Sequence, residues 1–186
     1  MRDSQEHVPQ PGYVGRYYQR TGLLLVGQNP YVPNSRLVAQ DGEYTAALRA
    51  LRDIPAERQY SDLQNVLDRF IPNWPVQNNY FPLAECGLRL EDIAYMNLVR
   101  CRTGNHAPNV NTVDTCRRTH FEPWLDMLKP SCVVFIGLWA RERGRNSVAA
   151  RNIPFATMNR NRSLNSAQRI ENRAEVAALV RKNLRE

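Results

Sequence analysis

Amide side chains follow three apolar segments of the chain. Gln28 and Asn29 come after the apolar run at residues 21–26. Asn97 lies within a second apolar segment, and Asn159 follows a third. A carboxamide can donate and accept hydrogen bonds, so it can orient a water molecule or hold a polar ligand, but it cannot take up a proton as a carboxylate can. Chemistry at these positions is therefore expected to depend on hydrogen bonding.

Apolar segments alternate with helical patterns along the chain. We predict strands at residues 21–26, 93–99, 131–137 and 153–158, and helices at residues 43–53, 61–70, 112–128, 138–145 and 166–184. The first of these strands is continuously apolar, which is typical of a strand buried on both faces. The alternation predicts an α/β protein with a mainly parallel sheet. Because ligands of such sheets bind at the carboxyl ends of strands, the loops after the four strands are the expected functional places.

Arginine dominates the charge of the chain. Lys and Arg number 25 against 18 acidic residues, the net charge is +7, and only Lys129 and Lys182 are lysines. Residues 1–140 hold 14 basic and 14 acidic residues, whereas residues 141–186 hold 11 and 4. Guanidinium groups match phosphate geometry, so a localised excess predicts a nucleic-acid partner. A basic surface that only keeps the protein soluble is the alternative.

The length of 186 residues fits one domain, and the composition, with 42% hydrophobic residues, is typical of a folded globular protein. No apolar run approaches the roughly 18 residues that cross a bilayer, and the polar N-terminus does not resemble a signal peptide. We therefore expect a cytoplasmic protein with no membrane contact. Residues 1–20, rich in Pro, Gly, Tyr and Gln, are predicted to form an N-terminal arm on a single domain of residues 21–186.

Two groups of motifs resemble the uracil-DNA glycosylase superfamily. Residues 26–31, Val-Gly-Gln-Asn-Pro-Tyr, are similar to its first motif, a strand that ends in Gly-x-Asp/Asn/Glu and carries the residue that handles the attacking water. Residues 95–102, 104–108, 116–117 and 129–137 resemble, in the same order, four motifs of the iron–sulfur branch: Asn-x-x-x-Cys-Arg, Gly-Asn-x-x-Pro, Cys-Arg and a strand ending in Gly. The resemblance covers residues 21–185.

The resemblance implies a three-layer α/β/α sandwich with a four-stranded, mainly parallel sheet. It also implies a monofunctional DNA glycosylase of base-excision repair, which acts as a monomer and needs no cofactor. Such an enzyme flips a nucleotide out of DNA and hydrolyses the bond between base and deoxyribose, leaving an abasic site. Uracil is the commonest base excised in the family, and a modified pyrimidine is the other expectation.

Residue by residue, the resemblance assigns Asn29 and Gln28 to the attacking water and the base. Asn97 would read the base through its amide, and Tyr31 would pack where thymine carries its methyl group. Asn159 stands where the family has a histidine that stabilises the departing base, and a neutral amide would give about 1–3 kcal/mol less stabilisation. An Asx turn at Asn29 and a loop cap at Asn97 are the purely structural alternatives.

The cysteines depart from the family pattern. Cys101 and Cys116 align with two ligands of the iron–sulfur cluster, but no cysteine precedes Cys86 and the N-terminal Cys-x-x-Cys pair is absent. Such a cluster needs four thiolates. Cys132 begins a predicted buried strand. We therefore predict no cluster, no metal, and reduced thiols.

The fourth loop is predicted to contact DNA. Arg160, Arg162 and Arg169 lie in the basic last quarter and are expected to bind phosphates. Leu164 is predicted either to replace the flipped nucleotide in the duplex or to pack against the last helix. Three aromatic residues stay open as the one that stacks on the base: Phe70, Tyr80 and Phe81.

Two alternative functions remain at this stage. The missing histidine and cluster, with the arginine-rich loop, fit a defence glycosylase that excises a hypermodified base, such as glucosylated hydroxymethylcytosine, from phage DNA. A site made of amides, with no titratable group, also fits a catalytically silent DNA-binding relative. An assay of base release separates the three.

Overall fold

The computed structural model describes residues 9–30, 35–70 (side chains from residue 42 onward), 81, 83–100, 108–160 and 164–185. Within them, five strands form one sheet: β1 (Tyr13–Val14), β2 (Leu23–Gly27), β3 (Ile93–Asn97), β4 (Cys132–Ile136) and β5 (Phe155–Met158). Their order across the sheet is β1-β3-β2-β4-β5. Strand β1 is antiparallel to β3, and all other pairs are parallel. The protein is an α/β protein with a mixed sheet.

The sheet has five strands and not the predicted four because part of the N-terminal arm joins it. Tyr13 pairs with Tyr95, and Val14 pairs with Ala94, along the outer edge of β3. Two paired residues are too short to produce an alternating pattern that sequence could reveal. The remaining four strands lie where they were predicted and run parallel to one another.

The helices are α1 (Tyr18–Thr21), α2 (Ser35–Ala50), α3 (Ala56–Phe70), α4 (Val110–Cys116), α5 (Glu122–Leu128), α6 (Leu138–Ala149) and α7 (Ser166–Asn183). A π-helical turn joins α4 to α5 and ends just before Glu122. Short 3₁₀ turns occupy Leu51–Asp53, Ala84–Cys86 and Leu90–Asp92. The N-cap of α4 is Asn109, whose Oδ1 accepts from the Thr112 amide at 2.8 Å, and not Asn111 or Thr112 as predicted.

The central strand β2 is buried on both faces, as its continuous apolar sequence predicts. Leu24 and Val26 point into one core, which α4, α5 and α6 cover. Leu23 and Leu25 point into a second core on the opposite face, which α7, Phe81 and residues 83–88 cover. All four side chains are fully buried, so helical segments protect both faces of the sheet from water.

The described part of the arm is held to the body by its backbone. The Gly15 amide donates to the Ile93 carbonyl at 2.9 Å, and the Tyr17 amide donates to the Glu91 carbonyl at 2.8 Å. Tyr18 is buried, and its hydroxyl donates to the Leu128 carbonyl at 3.3 Å.

None of the described helices is long and apolar enough to span a membrane.

Gly15 is the test of this anchoring. A Cβ at Gly15 would overlap the backbone of Glu91, which cannot move aside without breaking the arm–sheet contacts. We expect Gly15→Ala to cost about 1–3 kcal/mol of unfolding free energy and to lower Tm by several degrees in thermal unfolding followed by circular dichroism.

Gly42→Ala is the matched control. Gly42 is exposed in α2 and a Cβ there meets no atom within 4 Å. Alanine is the better helix former by about 0.5–1 kcal/mol, so this variant should be at least as stable as wild type. Equal Tm values for Gly15→Ala and wild type would show that the arm is not anchored through Gly15.

Candidate functional site

The carboxyl ends of β2 and β3 lie side by side and bring two of the predicted polar segments together. Gly27 pairs directly with Asn97 in the parallel register. Beyond the strands, the Leu98 amide donates to the Gly27 carbonyl at 2.8 Å and the Val99 amide donates to the Gln28 carbonyl at 2.9 Å. The loop that carries Gln28 and Asn29 therefore begins next to the end of β3.

A close approach at Gly27 places the Asn97 amide against β2. A Cβ on Gly27 would overlap Oδ1 of Asn97 and lie 2.8 Å from the hydroxyl of Tyr95. The Tyr95 hydroxyl donates to the same Asn97 oxygen at 2.9 Å. Glycine at position 27 is thus what allows the Asn97 side chain to occupy this place, and Tyr95 fixes the orientation of its amide.

Tyr95 is a site residue that the sequence reasoning missed. It precedes Asn97 by two positions on β3, and side chains two apart on a strand point to the same face. That period-two relation was the available signal. An aromatic residue within an apolar segment is more often part of a core, so this spacing by itself does not identify a site residue.

Gln28 and Asn29 are both half-buried at the end of β2. The Asn29 side-chain nitrogen donates to the Pro30 carbonyl at 3.5 Å, a long hydrogen bond. An Asx turn at Asn29 would use the amide of Tyr31, which lies outside the described residues, so both that alternative and the predicted role of Tyr31 stay predictions.

Asn159 lies at the same edge of the sheet but not beside the other two asparagines. Strand β4 separates β2 from β5, so the backbone of Asn159 is about 10 Å from the end of β2, two strand spacings away. The backbone amide of Asn159 donates to Oδ1 of Asn172 at 2.8 Å, and Nδ2 of Asn172 donates to the Thr157 carbonyl at 3.0 Å. Asn172, on α7, holds the end of β5 and was not identified from sequence, because no local pattern connects it with Asn159.

The predicted DNA contacts are described in part. Arg160 and Arg169 are exposed, the first directly after Asn159 and the second in the first turn of α7. Leu164 is partly exposed, immediately before the N-cap Asn165, and is not a member of the core clusters among the described residues. Arg162 lies outside the described residues.

Two of the three aromatic candidates for base stacking belong to the core. Phe70 is buried and packs against Tyr44 with ring centroids 5.3 Å apart. Phe81 is buried in the core on the α7 side of the sheet. Their burial removes both from contact with an incoming base. Tyr80 lies outside the described residues.

Part of the arginine excess of residues 141–186 is engaged within the protein. Arg151 donates to both carboxylate oxygens of Asp126, at 2.6 and 2.9 Å, which lowers the pKa of that carboxyl. Arg173 pairs with Glu85 at 2.7 Å. The Arg143 guanidinium lies over the Trp139 ring, 4.3 Å from its centroid. Fewer arginines are therefore available to bind a polyanion than the count of basic residues in the sequence suggests.

A buried guanidinium follows Asn97 by three residues. Nε and Nη2 of Arg100 are buried and have no hydrogen-bond partner among the described residues. The group lies over the Trp124 ring, 5.1 Å from its centroid, and this cation–π contact partly replaces its lost hydration. Burial lowers the pKa of Arg100, and burial together with the Arg100 charge lowers the pKa of His120.

The described residues contain neither a disulfide nor a group of side chains placed to bind a metal ion. Cys86, Cys116 and Cys132 are buried free thiols, and burial raises the pKa of Cys132 to about 12. No group of three His, Cys, Asp or Glu side chains in these residues is placed to hold a metal ion. Cys101 lies outside the described residues, so the prediction about its role stays a prediction.

Comparisons with known proteins add no assignment. No protein-family model matches the chain, and no curated protein matches its sequence.

The lowered pKa of His120 predicts how stability changes with pH. In the folded protein the proton binds less readily than at the ordinary pKa of 6.5, so the unfolded chain binds more protons below that pH. The contribution of His120 to stability is complete above about pH 6.5 and declines as the pH falls below it.

Urea unfolding of wild type and His120→Gln at several pH values measures this effect. We expect the stability of wild type relative to the variant to decrease from about pH 7.5 to about pH 5. A difference that stays constant, or grows, over this range would contradict a lowered pKa of His120 from burial and the nearby Arg100 charge.

Proposed function

We propose that the protein is a DNA glycosylase of the uracil-DNA glycosylase type, which hydrolyses the N-glycosidic bond of a flipped-out uracil or modified pyrimidine. The observation that carries the proposal is the pairing of Gly27 with Asn97, which puts the Gln28–Asn29 loop next to an oriented amide at the carboxyl edge of a parallel sheet. Open α/β sheets bind their ligands at this edge.

The architecture supports the same proposal. Four parallel strands with helical segments on both faces are compatible with the three-layer α/β/α sandwich that the resemblance implies. The additional strand β1 lies at the outer edge of β3 and is antiparallel to it, so it leaves the order of the four parallel strands unchanged.

In the proposed reaction, Asn29 and Gln28 orient a water molecule toward C1′ of the deoxyribose. The glycosidic bond breaks with its electron pair passing to the base, and the sugar gains oxocarbenium character before the water oxygen bonds to C1′. The proton lost by the water balances the charge of the departing base. Hydrogen-bond donors near the base, for which Asn159 and Arg160 are the candidates, would stabilise that negative charge.

Asn97 would recognise the base. The Tyr95 hydroxyl already occupies one lone pair of Oδ1, so the amide plane is set before a ligand arrives. An amide has a second lone pair on its oxygen and two N–H donors, enough for a paired contact with a pyrimidine edge. Orientation in advance lowers the entropic cost of that contact.

The proposal is tested with a panel of oligonucleotides that contain uracil, mismatched bases or phage-type modified cytosines, followed by alkaline cleavage at abasic sites. We expect release of at least one base. Asn29→Ala should reduce that release by about a hundredfold or more because it removes the group that orients water, while DNA affinity in fluorescence anisotropy stays nearly unchanged.

The matched control is Asn146→Ala, which removes an exposed amide from α6 and should leave both measurements unchanged. DNA binding without release of any base would contradict the proposed enzymatic activity and favour a catalytically silent DNA-binding relative. Parallel loss of release and affinity in Asn29→Ala would refute the role given to Asn29.

Tyr95→Phe tests the orientation of Asn97. Removing one hydrogen bond of roughly 0.5–1.5 kcal/mol should lower kcat/KM about three- to tenfold on the best substrate. Tyr60→Phe, at an exposed position in α3, is the control and should behave as wild type. An unchanged kcat/KM in Tyr95→Phe would show that the hydrogen bond from Tyr95 does not contribute to base recognition by Asn97.

A further inference from the structure

Strand β5 is an edge strand in the described part of the chain. It pairs with β4 on one side, and no described strand pairs with its other side. The Val133 amide donates to the Pro154 carbonyl, and the Gly137 amide donates to the Met158 carbonyl, which identifies the residues whose backbone faces β4. Because backbone groups of alternate residues point to opposite sides of a strand, those of Phe155 and Thr157 point away from the sheet.

Asn172 covers only the end of this edge. It accepts from the Asn159 amide and donates to the Thr157 carbonyl, as an added strand would. Within the described residues, no hydrogen bond reaches the outward N–H of Thr157 or the outward N–H and C=O of Phe155. Two donors and one acceptor are thus presented in a row.

Phe155, Ala156 and Thr157 are among the residues that line a groove of about 360 Å³ between α6 and α7. Arg141 and Arg145 line it from α6, and Val176 and Leu179 line it from α7. The two arginines are one helical turn apart and neither forms an ion pair with the described residues. Glu175 adds a negative charge on the α7 side.

We propose that this groove binds an extended, acidic peptide segment of a partner protein, which adds as a strand to the edge of β5. Main-chain hydrogen bonds to Phe155 and Thr157 would hold the segment. Its alternate side chains would point to opposite faces of the sheet. Acidic side chains meet Arg141 and Arg145 on the α6 face, and apolar side chains meet the partly exposed Leu179 on the α7 face.

Charge favours this occupant over a second copy of the chain. Antiparallel pairing of two β5 edges, about a twofold axis perpendicular to the sheet, would place α6 of one copy beside α6 of the other. Arg141 and Arg145 would then face the same two arginines, a repulsive arrangement. A segment with acidic residues at every second position removes that repulsion. The Glu175 charge opposes acidic residues at the intervening positions.

The test uses fluorescence anisotropy with a labelled peptide that alternates glutamate and valine. We expect it to bind wild-type protein, and a peptide that alternates lysine and valine to bind much more weakly. The double variant Arg141→Gln/Arg145→Gln should weaken binding of the acidic peptide about tenfold or more. Glutamine keeps the length of the groove wall while removing its charge.

Thr157→Pro tests strand addition. It removes the outward N–H, whereas the ladder to β4 uses the backbone of the neighbouring residues and stays intact. We expect binding to be lost in Thr157→Pro and kept in Thr157→Ala, which retains the N–H. A second measurement on wild-type protein uses peptides N-methylated at alternate residues; methylation in one of the two alternating registers, but not the other, should abolish binding.

Equal binding of the glutamate and lysine peptides, or no binding of either, would overturn the proposal. Binding that survives both Thr157→Pro and either register of N-methylation, and that an oligonucleotide displaces, would show a surface for polyanions in general. Concentration-dependent dimers of wild type that Thr157→Pro abolishes would show a second copy as the occupant. Neither result depends on base release, so the glycosylase proposal is judged separately.

Discussion

The parallel pairing of β2 with β3 and β4 is the constraint on which the rest of the molecule depends. Leu23, Leu24, Leu25 and Val26 are fully buried, two on each face, so β2 can occupy only the centre of the sheet. A shift of one residue in register would exchange the two faces and disturb both cores. The register that burial selects places Gly27 opposite Asn97, and the candidate site is a consequence of that alignment.

The position of the Asn97 amide in the candidate site depends on close packing against Gly27 more than on charge. The absence of a side chain at Gly27 gives the Asn97 oxygen its place, and the Tyr95 hydroxyl holds it there. Amides are neutral, so they can be packed half-buried between strands without the desolvation cost of a carboxylate. Some arginines of the chain pair with acids or aromatic rings, whereas Arg160 and Arg169 are exposed near the end of β5.

The two edges of the sheet are treated differently. On one side, β1 from the N-terminal arm covers β3, and Gly15 and Tyr17 continue the backbone contacts. On the other side, Asn172 bonds the Thr157 carbonyl and the Asn159 amide at the end of β5, and no described residue bonds the outward backbone groups of Phe155. Exposed strand edges are usually protected because they recruit other chains. This part of β5 lies between Arg141 and Arg145 on α6 and Leu179 on α7, so its surroundings favour an acidic segment over a basic one.

By itself the sequence determined the α/β class, the four parallel strands and the polar residues at their ends, because hydrophobic periodicity and turn residues are local properties. It also located the approximate helices, although the N-cap of α4 was misplaced by two or three residues. Tertiary structure alone decided that the arm supplies a fifth strand, that Tyr95 orients Asn97, that Asn172 holds β5, and that Phe70 and Phe81 are core residues. The pairing of the arm, the Asn172 contacts and the burial of Phe70 and Phe81 depend on residues that are distant in the chain, and such contacts leave no periodic trace in the sequence. Tyr95 and Asn97 are close in the chain, but their hydrogen bond forms where the missing side chain of Gly27, on the neighbouring strand, leaves room for the Asn97 amide.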